Sequence, residues 1–197
     1  MNEKLGITEQ QDAVVKRASS IMEGLGIEGI YRAKCFDKYG NLKWEDTIKN
    51  LVTTVGKNLM LDTLLAGSGY TVTGPYMGLI SSVGYSEILA ADTMTSHSGW
   101  AEAGDGTDYP LYTGDRKTCA FSAAAAGAKA LSAALDFVIV TTGGTIKGCF
   151  IVLGSGASAT IADTGGTLFS SGLFTGGDKV VSPSDTVSVS YSTNLNA

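Results

Sequence analysis

The sequence predicts a mainly β protein: an antiparallel β-sandwich or jelly roll with a short helical N-terminal arm. Three observations lead there. Glycine fills 26 of 197 positions and only 17% of residues are charged, a composition suited to short strands and tight turns. Apolar runs of strand length recur through the second half, several alternating with polar residues. Turn-forming residues separate them, without the strand–helix alternation of a doubly wound fold.

Charge divides the chain into an arm, residues 1–50, and a sandwich domain, residues 51–197. The arm holds 8 basic and 8 acidic residues, whereas the domain holds 6 basic and 11 acidic and so carries the whole net charge of −5. Thr8-Glu9-Gln10-Gln11 has the pattern of a capping box. Val14, Ala18, Ile21 and Leu25 follow near helical spacing, and Gly24 and Gly26 end the pattern. The stripe is narrow, so this helix needs a surface to lie on. Tyr31–Phe36 and Leu42–Glu45 read as a hairpin around the turn formers Asp37 to Asn41.

The domain opens with a second short helix, Asn50 to Leu65, weakened by Gly56 and stopped by Ala66-Gly67-Ser68-Gly69. Strands are then expected at Tyr76–Ile80, Arg116–Phe121, within Ala130–Val140, and at Thr145–Leu153. The last two flank Gly143-Gly144, a turn composition that predicts a hairpin. Leu168–Phe174 forms a shorter strand. Thr186–Tyr191 alternates cleanly as a final, half-buried one. The alanine run Ala123–Ala128 sits between strand patterns and reads as a connection.

Composition bounds the chemistry. A mildly acidic chain is poorly suited to coating nucleic acid, which demands Lys and Arg for phosphate neutralisation. No apolar run approaches the length of a membrane span. The start MNEKLGITEQQD lacks the apolar stretch of a secretory signal, so synthesis in a cytoplasm is expected. Cys35, Cys119 and Cys149 are isolated and odd in number, which argues against a disulfide framework or a zinc site and for buried small apolar groups.

His97 is the single histidine. A triad with Ser96 and Asp92 can be drawn, but nucleophile and base ordinarily come from separated elements, and no GxSxG elbow is present. Gly67-Ser68-Gly69 and Gly154-Ser155-Gly156 lack the continuation of a phosphate loop and read as turns. The acidic stretch Glu102 to Asp108 does not match the EF-hand pattern and reads as a solvated loop rather than a calcium site. No cofactor or metal is expected, and the chain is expected not to be an enzyme.

The stretch from Trp44 to Asn58 resembles an element of tailed-bacteriophage structural proteins. The resemblance continues through Gly74–Ile80, Ala91–Trp100, Leu168–Phe174 and Ser184–Tyr191, covering about residues 31–193. It implies a virion protein of the capsid decoration, or cement, kind, located on the capsid surface. Its partners would be the major capsid protein and copies of itself, with no direct contact to nucleic acid or membrane. Val14, Ala18, Ile21, Leu25 and Trp44 are the candidate interface residues, and the arm is expected to make the principal contacts. A tail or fibre component that binds a host receptor is the alternative role.

Overall fold

The computed structural model describes residues 26–65 and 73–196. Eleven strands, β1 (Gly26–Phe36), β2 (Leu42–Lys49), β3 (Leu51–Val52), β4 (Tyr76–Ser81), β5 (Lys117–Thr118), β6 (Ala128–Ala130), β7 (Leu135–Val138), β8 (Gly144–Leu153), β9 (Thr167–Leu173), β10 (Lys179–Val181) and β11 (Thr186–Asn196), accompany one helix, α1 (Thr54–Leu65), among these residues. The strands form two antiparallel sheets. The first runs β2-β1-β11-β6, with β7 also paired to β11; the second runs β3-β9-β8-β4-β5, with β10 also paired to β8. The expected β-sandwich is the architecture observed. The helix expected between residues 9 and 25 lies outside the described residues.

Alternation explains the first sheet. Tyr31, Ala33 and Cys35 of β1 are buried, as are Val187, Val189 and Tyr191 of β11, while Arg32 and Lys34 face solvent. Period-2 burial of this kind is what a sheet with one wet face requires. β1 pairs along its whole length with β11, Gly26 opposite Asn196 and Phe36 opposite Thr186, and β2 flanks its other side. The division expected at residue 50 therefore does not follow the packing. Residues 26–49 supply a central and an edge strand of the sandwich rather than an appended arm.

β8 behaves differently: Ile146, Cys149, Phe150, Ile151 and Val152 are all buried. Ile146, Cys149 and Ile151 point into the core between the sheets, joining Met77 and Leu79 of β4. Phe150 and Val152 point the other way, into a second core with Ile80, Leu168, Met94, Trp100 and Ala157. A register shift opposite Ile80/Ser81, where Lys147 is the extra residue, puts Ile146 and Cys149 on one side. The second sheet is thus covered on both faces, its outer one by loops of residues 82–116 and 154–166. Full burial of one such side chain is worth about 1.5–3 kcal/mol, so this loop layer is held by its own apolar contacts.

The hairpin expected between residues 130–140 and 145–153 is not formed. β7 pairs with β11, whereas β8 pairs with β4, β9 and β10 in the other sheet. The Gly143-Gly144 segment ends a crossover between sheets. In it Val140 N donates to Leu111 O and Leu111 N to Thr142 O, at 2.9 and 3.1 Å. The physical reason lies in the burial patterns: β7 alternates and needs one covered face, β8 needs two. The strand expected over Arg116–Phe121 shortens to β5, with Phe121 making a single bridge to Leu131.

α1 starts later than its apolar spacing suggests. Leu51 and Val52 pair with β9, and Thr53 caps the helix by accepting from Gly56 N at 3.1 Å. Gly56, a weak helix former, is needed for contact: a β-carbon there would lie 2.5 Å from Phe169 O and 3.1 Å from its Cα.

Candidate functional site

Several ionisable groups converge on one cleft in the loop layer, lined by Met94, His97, Trp100, Glu102, Arg116 and Phe150, with Asp105, Asp108 and Asp163 also at its wall. Glu102 arrives beside β4 through a bridge to Ile80, which turns its side chain toward the second core. Gly78 on β4 makes the room, since a β-carbon there would sit 2.8 Å from Glu102 Oε1 and overlap the Phe150 ring.

Arg116 Nε donates to Glu102 Oε1 at 2.9 Å and Nη2 to Oε2 at 2.7 Å. Nη1 also reaches Ser158 O at 3.1 Å and Nη2 reaches Asp163 O at 2.7 Å. Ala162 N donates to Glu102 Oε2 at 2.9 Å. The Arg116 side chain is fully buried and that of Glu102 nearly so. Burial pushes the Glu102 carboxyl above its ordinary pKa, against the opposing pull of Arg116 and the Ala162 N–H. This bidentate pair sews residues 101–116 to residues 158–163, and both carboxylate oxygens are committed to that task. At about 190 Å³ the cleft is smaller than the roughly 300–1,000 Å³ of ordinary small-molecule sites.

His97 stacks on Trp100 with ring centroids 4.1 Å apart, and its Nδ1 lies 3.0 Å from Trp100 O. Asp92 accepts from Trp100 Nε1 at 3.0 Å and from Leu89 N at 2.9 Å. The Ser96 backbone is bridged to Thr93. The Ser96–His97–Asp92 combination is therefore occupied with folding its own loop. Glu102 to Asp108, expected as a solvated loop, divides: Glu102 is buried and paired, Asp105 is exposed and Asp108 half-buried. Among the described residues no group of three or more His, Cys, Asp or Glu is placed to hold a metal ion.

Cys35, Cys119 and Cys149 are all buried and unpaired, as expected. Burial raises the thiol of Cys119, and burial aided by nearby Asp185 raises that of Cys35, each to about 12. Among the described helices, none is long and apolar enough to cross a membrane.

Of the expected interface residues, Val14, Ala18, Ile21 and Leu25 lie outside the described residues. Trp44 is half-buried in the seam between the sheets: its ring meets Phe174 edge-on at 5.5 Å, and its Nε1 donates to Val180 O at 3.2 Å. It is built into its own domain. Sequence reasoning missed the Arg116–Glu102 pair. The available signal was Arg116 itself, the lone arginine between residues 51 and 197, because arginine is the cation best suited to a buried carboxylate.

Comparison of the chain with protein-family models, with curated proteins and with solved structures returned no match.

Proposed function

We propose that this chain is a structural subunit of a bacteriophage particle, acting on the head as a decoration protein that binds capsid subunits, and not an enzyme. One observation carries the reading: the segments that resemble phage structural proteins are the frame of the sandwich. Tyr76–Ile80 lies in β4, Leu168–Leu173 in β9 and Thr186–Tyr191 in β11, while Met94 and Trp100 from the Ala91–Trp100 segment fill the second core. The ionisable cluster beside them is consumed in clamping loops over a sheet. A chain that commits its buried ion pair to rigidity suits a particle component exposed to a harsh exterior.

Copy number tests this. Quantitative mass spectrometry of purified particles from the encoding phage should find the chain in stoichiometric ratio to the major capsid protein. Cryo-EM of the same particles should show repeated density on the head. A few copies confined to the tail would replace this reading with a receptor-binding one, and absence from the particle would end it.

A further inference from the structure

Asp105 precedes Gly106 in an exposed turn at the wall of the cleft. It is the sole Asp–Gly pair of the chain, and the sequence has no Asn–Gly pair. The pairing matters because the carboxyl carbon of an aspartate lies one ring closure away from the main-chain nitrogen of the residue that follows. A side chain on that residue obstructs the closure, and glycine has none.

The fold leaves this pair free to react. The Asp105 carboxylate makes no hydrogen bond or ion pair among the described residues, whereas those of Asp37, Asp46, Asp92, Asp163, Asp178 and Asp185 are held by donors. Asp62, Asp108, Asp115 and Asp136 are likewise unheld among these residues, but Thr, Tyr, Arg and Phe follow them. The Gly106 N–H donates to no acceptor among the described residues, and a β-carbon at Gly106 would meet nothing within 4 Å, so a new ring has room there. The turn also yields readily. Two backbone bonds close it, Asp108 N to Asp105 O at 2.8 Å and Gly104 N to Asp108 O at 2.9 Å. Gly104 and Gly106 flank Asp105 at φ +105° and +49°, so the dihedrals on either side can change with no side chain in the way. Exposed turns held by few bonds open locally at small cost in free energy.

We propose that Asp105 is a modification site of the folded protein, at which isoaspartate forms spontaneously. Gly106 N attacks the carboxylic acid of Asp105. The N–Cγ bond forms, the Cγ–OH bond breaks, and the hydroxyl leaves with the amide proton as water. The intermediate is a cyclic imide spanning the two residues. Water then adds back. Addition at Cγ restores aspartate, while addition at the former main-chain carbonyl leaves the main chain running through Cβ and Cγ. One water is lost and one regained, so no oxidant, cofactor or second enzyme enters the balance. The isoaspartyl form has one more methylene in the main chain of the 104–108 turn. Its carboxylate sits on the α-carbon, which changes the cleft wall three residues from the buried Glu102. This inference is independent of the role on a particle, since it needs only the folded chain and water.

Ageing the full chain in warm, neutral buffer over weeks provides the test, with a guanidinium-unfolded sample aged alongside. Protein isoaspartate methyltransferase with a labelled methyl donor reads the total isoaspartate. Peptide mapping with electron-based fragmentation assigns it, because the isoaspartyl peptide has the same mass as the original but a different retention and backbone cleavage. The native chain is expected to accumulate isoaspartate at Asp105 at a rate within severalfold of the unfolded chain, and at no other aspartate among the described residues. Asp105→Glu, which lengthens the side chain and disfavours the ring, should remove the label; circular dichroism checks that this exposed substitution leaves the fold intact. Isoaspartate at Asp105 in the unfolded chain but not in the native one would show that the turn protects the residue, and would overturn the proposal. So would its absence from both samples, equal accumulation at other aspartates of the native chain, or labelling that survives Asp105→Glu.

Discussion

Arg116 and Glu102 form a bidentate ion pair at the floor of the loop layer, with Nε–Oε1 and Nη2–Oε2 separations of 2.9 and 2.7 Å. The pair joins two loops that otherwise meet over Phe150, whose ring lies 5.5 Å from the guanidinium carbon. Removing one partner strands a buried charge, at a cost of about 3–5 kcal/mol, while removing both leaves no buried charge, only a packing defect and the unmet Ala162 N–H and Ser158 and Asp163 carbonyls. Arg116→Met alone should lower the unfolding free energy by that amount in urea titrations. Adding Glu102→Leu should recover part of the loss. A single substitution costing under about 1 kcal/mol, or strictly additive losses, would show that the loops hold without the clamp.

Asp46 gives a pH dependence. Burial opposes its charge, but Lys179, the Thr175 hydroxyl and the N–H groups of Thr47 and Gly176 outweigh this, leaving its carboxyl below the ordinary range. A depressed folded-state pKa contributes stability above the unfolded value of about 3.9, lost as pH falls through the folded value. Asp46→Asn should therefore be less stable near neutral pH by about 1.5–3 kcal/mol, with the difference shrinking below pH ~4. A gap that stays constant into acid would contradict the assignment.

The position of β1 between β2 and β11 predicts where the chain can be shortened. A protein starting at Gly26 keeps the full β1–β11 ladder and should unfold in one cooperative thermal transition. One starting at Asn50 loses Tyr31, Ala33, Cys35 and Ile48 from the inner core and should show no such transition. Cooperative unfolding of the shorter protein would restore the division at residue 50.

Much of this architecture was legible because burial leaves a period in the sequence. Thr186 to Tyr191 alternates, and β11 has one buried face; Thr145 to Leu153 is a strand because its run is apolar, bounded and rich in β-branched residues. Partner choice left no such trace. Gly143-Gly144 has hairpin composition, yet the chain crosses there to another sheet, a decision made by how many faces each strand must cover. Nor was the second core visible, because Met94 and Trp100 come from irregular loops with no periodicity. The Glu102–Arg116 clamp joins residues whose proximity only the assembled sheet creates.

Gly148 tests the tightest point of that sheet. It sits in β8 opposite Leu173, next to the Cys149–Gly172 pair. A β-carbon at Gly148 would overlap the Gly172 carbonyl oxygen, and would stand 2.8 Å from the carbonyl carbon and 3.0 Å from Leu173 Cα. These are backbone atoms of a neighbouring strand, and β8 is held on its other side by β4, so neither strand can yield without breaking ladder bonds. Gly172 is confined in turn, since a β-carbon there would meet the Ile48 side chain and stand 2.9 Å from Lys49 O, where β2 passes. Gly148→Ala should thus cost about 3 kcal/mol, the upper part of the range for overpacking. Gly84→Ala is the control: its φ is +63° but a β-carbon there meets nothing within 4 Å, so the penalty should be that of the left-handed backbone alone, about 1–2 kcal/mol. Urea midpoints for the two variants should separate clearly, with Gly148→Ala the lower. Equal midpoints would mean that β8 and β9 sit farther apart than these contacts require.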